Sequence, residues 1–240
     1  MLVKNWMARE VITIDINDSM QHAMKLMKEH NIRRLPVMKK GNLAGIVTDR
    51  DLKRASASDA NALEIHELYY LLADTTVGDI MTSDPVTVPP DYTLEETAEI
   101  LLNNKISGVP VVEDNGQVVG IITQTDLFRA IVSFTGVGKQ GIQFGFMLED
   151  RSGSIKEVAD IIREYGGRMV SILSTNQRAP KGYRKVNIRT HGISRLRLGR
   201  LIAHLNSKKT LLYVIDHREN KREIFENEYR HFMQNAVANY

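Results

Sequence analysis

The sequence of 240 residues predicts a mixed α+β fold with a duplicated first half and a strand-rich second half. The duplication is direct, because residues 32–52 return as residues 106–127 with the same motifs, apolar-x-x-apolar-Pro-Val and then Gly-apolar-apolar-Thr-x-x-Asp-Leu. After residue 141 the pattern changes to alternating strands and helices. A repeat of this length indicates two similar units packed on each other. Two such units form a cleft with two related pockets, which favours a binding module over an enzyme.

Each copy is predicted as a short strand, a helix, a hairpin and a second helix. In the first copy, apolar residues at helical spacing follow Asp18 and Ser19, which can cap a helix start. In the second copy they follow Thr93, and Glu96 completes a capping-box pattern. The predicted hairpin strands are residues 35–38 with 43–48, and residues 109–112 with 118–123.

The segments around these units carry other patterns. Residues 55–62 are small and polar, which predicts a loop, and residues 63–72 predict a buried spacer helix. The spaced glycines of residues 135–141 match a dinucleotide-binding loop, but a predicted helix precedes them and a predicted strand follows. Pyrophosphate binding needs the reverse order, so we interpret this stretch as a linker.

The second half has the order strand-helix-strand-strand-helix-strand, which is that of a ferredoxin-like sandwich. The predicted strands are residues 142–148, 168–174, 183–190 and 211–216, and the predicted helices are residues 154–165 and 193–205. From residue 217 onward an apolar stripe predicts a C-terminal helix, with Ile224, Phe225, Tyr229, Phe232 and Met233 on one face. Its other face carries both signs of charge, so we expect a core or oligomer contact and not a membrane anchor.

Composition bears on several classes of function. The chain has no cysteine and therefore no disulfide or thiolate metal site, and its 7 histidines lack metal-binding spacing, so we expect no metal. No apolar run reaches the ~18 residues of a membrane span. The first residues do not resemble a signal peptide, so we expect a cytoplasmic protein without membrane contact. No residue set supplies an acid, a base and a nucleophile, so we do not expect an enzyme.

The paired motifs resemble a tandem pair of CBS domains over residues 3–132. The third unit resembles an ACT domain, although Ser152 stands where the first loop of that family has a proline. The whole arrangement resembles the acetoin-utilisation regulatory proteins of bacteria. The resemblance implies a first CBS domain with its spacer helix over residues 1–72, a second CBS domain over 73–135, an ACT domain over 141–216 and a C-terminal helix over 217–240.

Since CBS pairs typically bind adenosine-containing ligands, the resemblance implies an adenine nucleotide as a regulatory ligand and no required cofactor. Asp51 and Asp126 each begin a helix, where a carboxylate can accept both hydroxyls of a ribose. The alternative is that each aspartate is only an N-cap. A cap alone would leave Thr48 and Thr123, three residues earlier, unexplained, so we favour the ligand interpretation.

The two expected sites differ in charge. The first has Arg33, Arg34 and Arg50, whose planar guanidinium groups suit phosphate. The second is more open, so we expect a nucleoside-like ligand there, or an arginine that reaches across the cleft. The resemblance also implies that the backbone near Thr13 and Thr87 brackets a purine, although both can be strand formers only. The expected ligand-binding residues are Thr13, Arg33, Arg34, Pro36, Thr48, Arg50, Asp51, Thr87, Ser107, Gly108, Pro110, Thr123 and Asp126.

The resemblance implies a second pocket in the ACT unit, near Asp150, Ser152, Gly153 and Ser154, although many ACT domains only dimerise. We therefore expect a homodimeric regulatory protein that senses an adenine nucleotide and relays its state to the ACT unit or a partner enzyme. The alternative function is nucleic-acid binding through Arg178, Lys181, Arg184, Lys185, Arg189, Arg195, Arg197 and Arg200. A basic stretch of this kind is more often a solvated surface, so we do not expect nucleic acid as a partner.

Overall fold

A computed structural model describes residues 1–59, 74–139 and 141–225. Within it the chain divides into two compact units, Met1–Arg129 and Ala130–Tyr240. The spacer helix predicted over residues 63–72 lies outside the described residues, as does the predicted apolar stripe beyond Phe225.

The first unit contains both copies of the repeat. The first copy consists of β1 (Ile14–Asp15), α1 (Met20–Glu29), β2 (Arg34–Lys39), β3 (Asn42–Thr48) and α2 (Asp49–Asp59). The second consists of α3 (Val77–Ile80), β4 (Thr82–Ser83), α4 (Leu94–Asn103), β5 (Gly108–Val112), β6 (Val118–Thr123) and α5 (Gln124–Thr135). The predicted helices and hairpins are thus confirmed. The loop predicted from residue 55 is wrong up to residue 59, because small Ala and Ser residues continue α2.

The two copies exchange their opening segments. Thr82 in β4 pairs with Ile46 in β3 of the other copy, and Ala8 pairs with Ile121 in β6. These contacts correspond to each other under the repeat, so an approximate two-fold axis relates the copies. The exchange joins the two copies through backbone hydrogen bonds, and in the first copy a core of Leu35, Val37, Val47 and neighbouring apolar side chains lies beneath the hairpin.

Two methionines cover glycines at the exchanged segments. A Cβ atom at Gly45 would lie 2.4 Å from Met81 Sδ, and one at Gly120 would lie 2.3 Å from Met7 Sδ. Backbone oxygens also lie 2.8 Å from the Gly45 position and 3.1 Å from the Gly120 position. The glycine that opens each Gly-apolar-apolar-Thr motif is therefore required by the close approach of the other copy.

After the end of α5, residues 141–225 of the second unit form a five-stranded antiparallel sheet and two helices. Its elements are β7 (Ile142–Glu149), α6 (Ser154–Glu164), β8 (Arg168–Thr175), β9 (Tyr183–His191), α7 (Arg195–Lys208), β10 (Thr210–Asp216) and β11 (Lys221–Ile224). The strand order is β11-β10-β7-β9-β8, so the first six elements have the predicted ferredoxin-like connection. The core between sheet and helices includes Phe144, Phe146, Ile162, Ile188 and Leu201.

The prediction of a helix from residue 217 is wrong for its first part. Lys221 pairs with Asp216 in a hairpin, so residues 217–220 form a turn and β11 follows. Asn220 takes the left-handed conformation with φ of 51°, which suits asparagine in a turn. Arg218 also donates back to the Asp216 carboxylate, at 3.0 Å from Nη2, which stabilises the turn.

Candidate functional site

The candidate site is built on two Thr-Asp pairs at equivalent helix starts. The first cap pair is Thr48 and Asp51, and the second cap pair is Thr123 and Asp126. In the first, the backbone N and Oγ1 of Thr48 donate to Asp51 Oδ2 at 2.9 and 2.6 Å. In the second, the corresponding distances from Thr123 to Asp126 Oδ2 are 3.0 and 2.6 Å.

Each cap pair is a capping box, because the aspartate N–H also lies 3.4 Å from the threonine Oγ1. The threonine precedes the first helical residue and the aspartate is the third residue of the helix. The alternative that each aspartate is only the N-cap is therefore wrong, because the threonine occupies that position and the aspartate completes the capping box from the third helical residue. The threonines also have a structural role, so they do not by themselves indicate a ligand.

The second carboxylate oxygen of each cap pair contacts an arginine one turn along the helix. Arg54 Nη2 lies 3.6 Å from Asp51 Oδ1, and Arg129 Nη1 lies 2.9 Å from Asp126 Oδ1. The aspartate side chains are only 15% and 13% exposed, whereas the arginines are 77% and 71% exposed. Sequence reasoning missed these arginines, although both copies read Asp-Leu-x-Arg-Ala.

Arg34 crosses from the first copy to the second. Its Nη2 donates to Ser107 Oγ at 2.8 Å, and a Cβ atom at Gly108 would lie 2.0 Å from its Nη1. Burial lowers the pKa of Arg34, while Asp49 and Asp126 act in the opposite direction. The sequence places Arg34 with Arg33 and Arg50 in the first site and leaves open an arginine that reaches across the cleft, and Arg34 is the residue that reaches Ser107 of the second copy.

The other expected ligand-binding residues are more dispersed. Arg33 and Arg50 are exposed, and both act to lower the pKa of Arg34. Pro36 and Pro110 are buried within the hairpin strands β2 and β5, so their roles are in packing and strand geometry.

The expectation that Thr13 and Thr87 lie on strands is wrong. Both are exposed residues that immediately precede a strand or a bridge. Thr13 lines a cavity of about 430 Å³ together with Arg9 and both hairpin turns. Neither aspartate of the cap pairs lines this cavity. No described contact brings the two threonines to the cap pairs.

The loop expected to bind a ligand in the second unit is largely engaged in internal contacts. Asp150 Oδ2 accepts from Asn176 Nδ2 at 2.7 Å, and its Oδ1 lies 3.2 Å from Arg184 Nε. Ser152 is exposed and Gly153 has φ of 86°. Ser154 is buried, and its Oγ has no hydrogen-bond partner among the described residues. The structure thus leaves Ser154 as the residue of this loop with unused hydrogen-bonding capacity.

Three arginines of the basic stretch proposed for nucleic acid are engaged in contacts within the second unit. Arg184 pairs with Asp150, and Arg195 pairs with Glu219. Arg189 is 5% exposed and donates to Gln143 Oε1 at 2.7 Å. Since phosphate backbones are bound by clusters of accessible cations, this distribution gives no support to nucleic-acid binding.

Residues 1–59, 74–139 and 141–225 contain no group of three or more His, Asp or Glu side chains placed to hold a metal ion. Among the same residues, no helix has the length and apolar character needed to traverse a bilayer.

The duplicated part of the chain is similar to known proteins. A profile of the CBS domain matches residues 3–58 and 77–133. A CBS domain-containing protein of Dictyostelium discoideum is 32% identical over 132 residues, which cover 55% of this chain and 91% of that protein. Inosine-5'-monophosphate dehydrogenase of Korarchaeum cryptofilum is 37% identical over 125 residues, which cover 52% of this chain but 23% of the dehydrogenase.

Solved structures are similar over the same share of the chain. The CBS domain pair of protein MJ0100, solved in complex with 5'-methylthioadenosine and S-adenosyl-L-methionine, is 33% identical with a TM-score of 0.47. The match covers 55% of this chain and 99% of that one. A proposed acetoin utilization protein (AcuB) from Vibrio cholerae is 28% identical with a TM-score of 0.48, and the match covers 58% of this chain and 96% of that one.

Proposed function

Because this chain belongs to the CBS domain family, we propose that its first unit is a regulatory module that binds an adenine nucleotide or a related adenosine compound. The cap pairs are the groups proposed to bind the ribose hydroxyls. The protein is proposed to act by binding and not by catalysis, as a cytoplasmic homodimer that needs no cofactor. It would relay its ligand state to the second unit or to a partner enzyme.

One observation carries this proposal: the same Thr-Asp-Arg contact occurs at both helix starts. A capping box uses one carboxylate oxygen, Oδ2, and leaves Oδ1 of each aspartate to an arginine that is mostly in solvent. Because the arginine is mostly in solvent, it can leave the carboxylate when another hydrogen-bond donor takes its place. A ribose hydroxyl can then donate to Oδ1 in its place.

Phosphate groups are proposed to contact Arg33, Arg34 and Arg50, because guanidinium groups form charge-assisted pairs with phosphate oxygens. The backbone near Thr13 and Thr87 is proposed to lie on either side of the purine ring. The second unit is proposed to be an ACT domain, and an acetoin-utilisation role follows from the resemblance of the whole arrangement. Ser154 is the residue of that unit whose unused hydroxyl supports a small-molecule site.

Isothermal titration calorimetry of the full chain with AMP, ATP and adenosine tests the proposal. We expect micromolar-class affinity, or about 8 kcal/mol. Asp51→Ala and Asp126→Ala should each remove the binding due to one cap pair, and the double variant should not bind.

Asp79→Ala is the matched control for these variants. Asp79 forms the same kind of capping box with Thr76, with Oγ1 to Oδ2 at 2.6 Å, but lies outside the proposed site. It should lose a similar amount of helix stability and keep its affinity for AMP. If the double variant binds AMP as tightly as Asp79→Ala does, the proposed role of the cap pairs is wrong.

A further inference from the structure

Residues 34 and 108 are equivalent positions in the two copies, 74 residues apart, and they face each other. An approximate two-fold axis therefore passes between them. A Cβ atom at Gly108 would lie 2.0 Å from Arg34 Nη1 and 2.8 Å from the backbone oxygen of Ile122, so the Arg34 side chain and the hairpin itself fill the space beside this glycine. The arginine and the glycine are thus a complementary pair at the boundary between the copies.

The Arg34 guanidinium is held from both sides of this boundary. It starts on β2 of the first copy and donates to Ser107 Oγ of the second copy at 2.8 Å. Arg34 is the register partner of Thr48 in the first cap pair, and Gly108, which lies beside its guanidinium, is the register partner of Thr123 in the second cap pair. Asp126 also acts on Arg34 electrostatically. It is half-buried, whereas Arg33 and Arg50 are exposed. A half-buried cation is screened less by salt and attracts an anion more strongly than an exposed cation does.

We infer that Arg34 is a single phosphate-binding group shared by the two cap pairs, so that the first unit holds one phosphorylated adenosine ligand at a time. This inference rests on the proposed function and adds a limit to it. The phosphate of a second ligand would contact the same guanidinium, whose positive charge is already neutralised by the first phosphate. A ligand without phosphate needs only a cap pair, so adenosine can occupy both.

The shared group makes the stoichiometry depend on the ligand. Calorimetric titration of the full chain should give one AMP per chain and two adenosine molecules per chain. Arg34→Gln keeps a donor for Ser107 but removes the charge. It should weaken AMP binding by tenfold or more and leave the affinity for adenosine unchanged. Arg33→Gln, which removes an exposed charge from the neighbouring residue, should weaken AMP binding less.

Two equivalent AMP sites per chain in the natural protein, or equal effects of Arg34→Gln and Arg33→Gln, would overturn this inference and leave the proposed function standing. A chain that binds neither AMP nor adenosine would overturn the proposed function and this inference with it.

Discussion

Gly45 and Gly120 show how single residues hold the two copies together. Each lies under a methionine from the other copy, with sulfur 2.4 or 2.3 Å from the position that a Cβ atom would take. Alanine at either position must displace the exchanged segment. We expect each substitution to lower the free energy of unfolding of the first unit by about 1 to 3 kcal/mol. Gly45→Ala should cost more, because a backbone oxygen lies closer to it, at 2.8 Å.

Urea unfolding followed by tryptophan fluorescence measures this effect, since Trp6 is the only tryptophan and lies next to Met7. Gly199→Ala is the control, because Gly199 lies in α7 with open space around its Cβ position. Because Gly199 and Trp6 lie in different units, this change should leave the fluorescence transition at the same urea concentration. Gly45→Ala and Gly120→Ala variants as stable as the natural protein would refute the packing argument.

The sequence identifies the residue types of the candidate site better than it identifies which side chains contact each other. The repeated threonines and aspartates stand out because each motif occurs twice. The reach of Arg34 to Ser107 depends on how the two copies meet, which no local pattern reports. The sequence shows that a glycine precedes the apolar pair in both copies. Only the structure shows why glycine is needed there, because Met7 and Met81 pack against these positions.

At the element scale, α6 begins in a charged network that should make the second unit sensitive to acid. Arg151 Nη1 lies 2.8 Å from Glu157 Oε1, and Lys209 Nζ lies 2.5 Å from Glu157 Oε2. The hydrogen bonds from Arg151 and Lys209 lower the pKa of Glu157 from 4.5 to about 2. A carboxyl whose pKa is lowered by folding stabilises the fold above its unfolded pKa. This contribution should be lost as the pH falls from 4.5 towards 2.

Glu157→Gln should therefore unfold at lower urea than the natural protein at pH 6, and the difference should disappear as the pH approaches 2. Circular dichroism across a pH series measures both midpoints. Glu164→Gln removes an exposed carboxylate from the last turn of the same helix and serves as the control. If the difference in urea midpoint between Glu157→Gln and the natural protein does not change with pH, the negative charge of Glu157 does not stabilise the fold.

Helices and strands with clear hydrophobic periodicity or a capping motif were predictable from the sequence. The elements that were missed have physical reasons. The capping box of Thr93 and Glu96 is confirmed, with Oγ1 to Oε2 at 2.7 Å. The extension of α2 to Asp59 was missed, because Ala and Ser permit both helix and loop. The strand β11 was missed because apolar residues beyond it suggested a continuous helix, while the turn before it depends on Asn220.

At the scale of the whole molecule, α5 offers a surface for self-association. Phe128, Ile131 and Val132 are 64%, 56% and 56% exposed, at the i, i+3 and i+4 spacing that forms one face of a helix. Apolar side chains grouped in this way commonly mark an interface. We expect a two-fold homodimer at micromolar concentration.

Light scattering of the natural protein and of Phe128→Lys tests this expectation. The variant should shift towards the monomer, because a buried lysine without a partner is costly. Leu196→Lys is the control, since Leu196 is 91% exposed on α7. We also expect saturating AMP to change the solution scattering curve of the dimer without changing its mass, through a coupling of ~1 to 3 kcal/mol. A natural protein that is monomeric at this concentration would contradict the assembly proposal.

Binding of the ribose by the cap pairs would be visible in a crystal structure of the full chain grown with AMP. We predict ribose hydroxyls within hydrogen-bond distance of Oδ1 of Asp126 or Asp51, with the neighbouring Arg129 or Arg54 displaced. The phosphate should contact the Arg34 guanidinium. AMP bound elsewhere, with both aspartates still paired to Arg54 and Arg129, would contradict this role of the cap pairs.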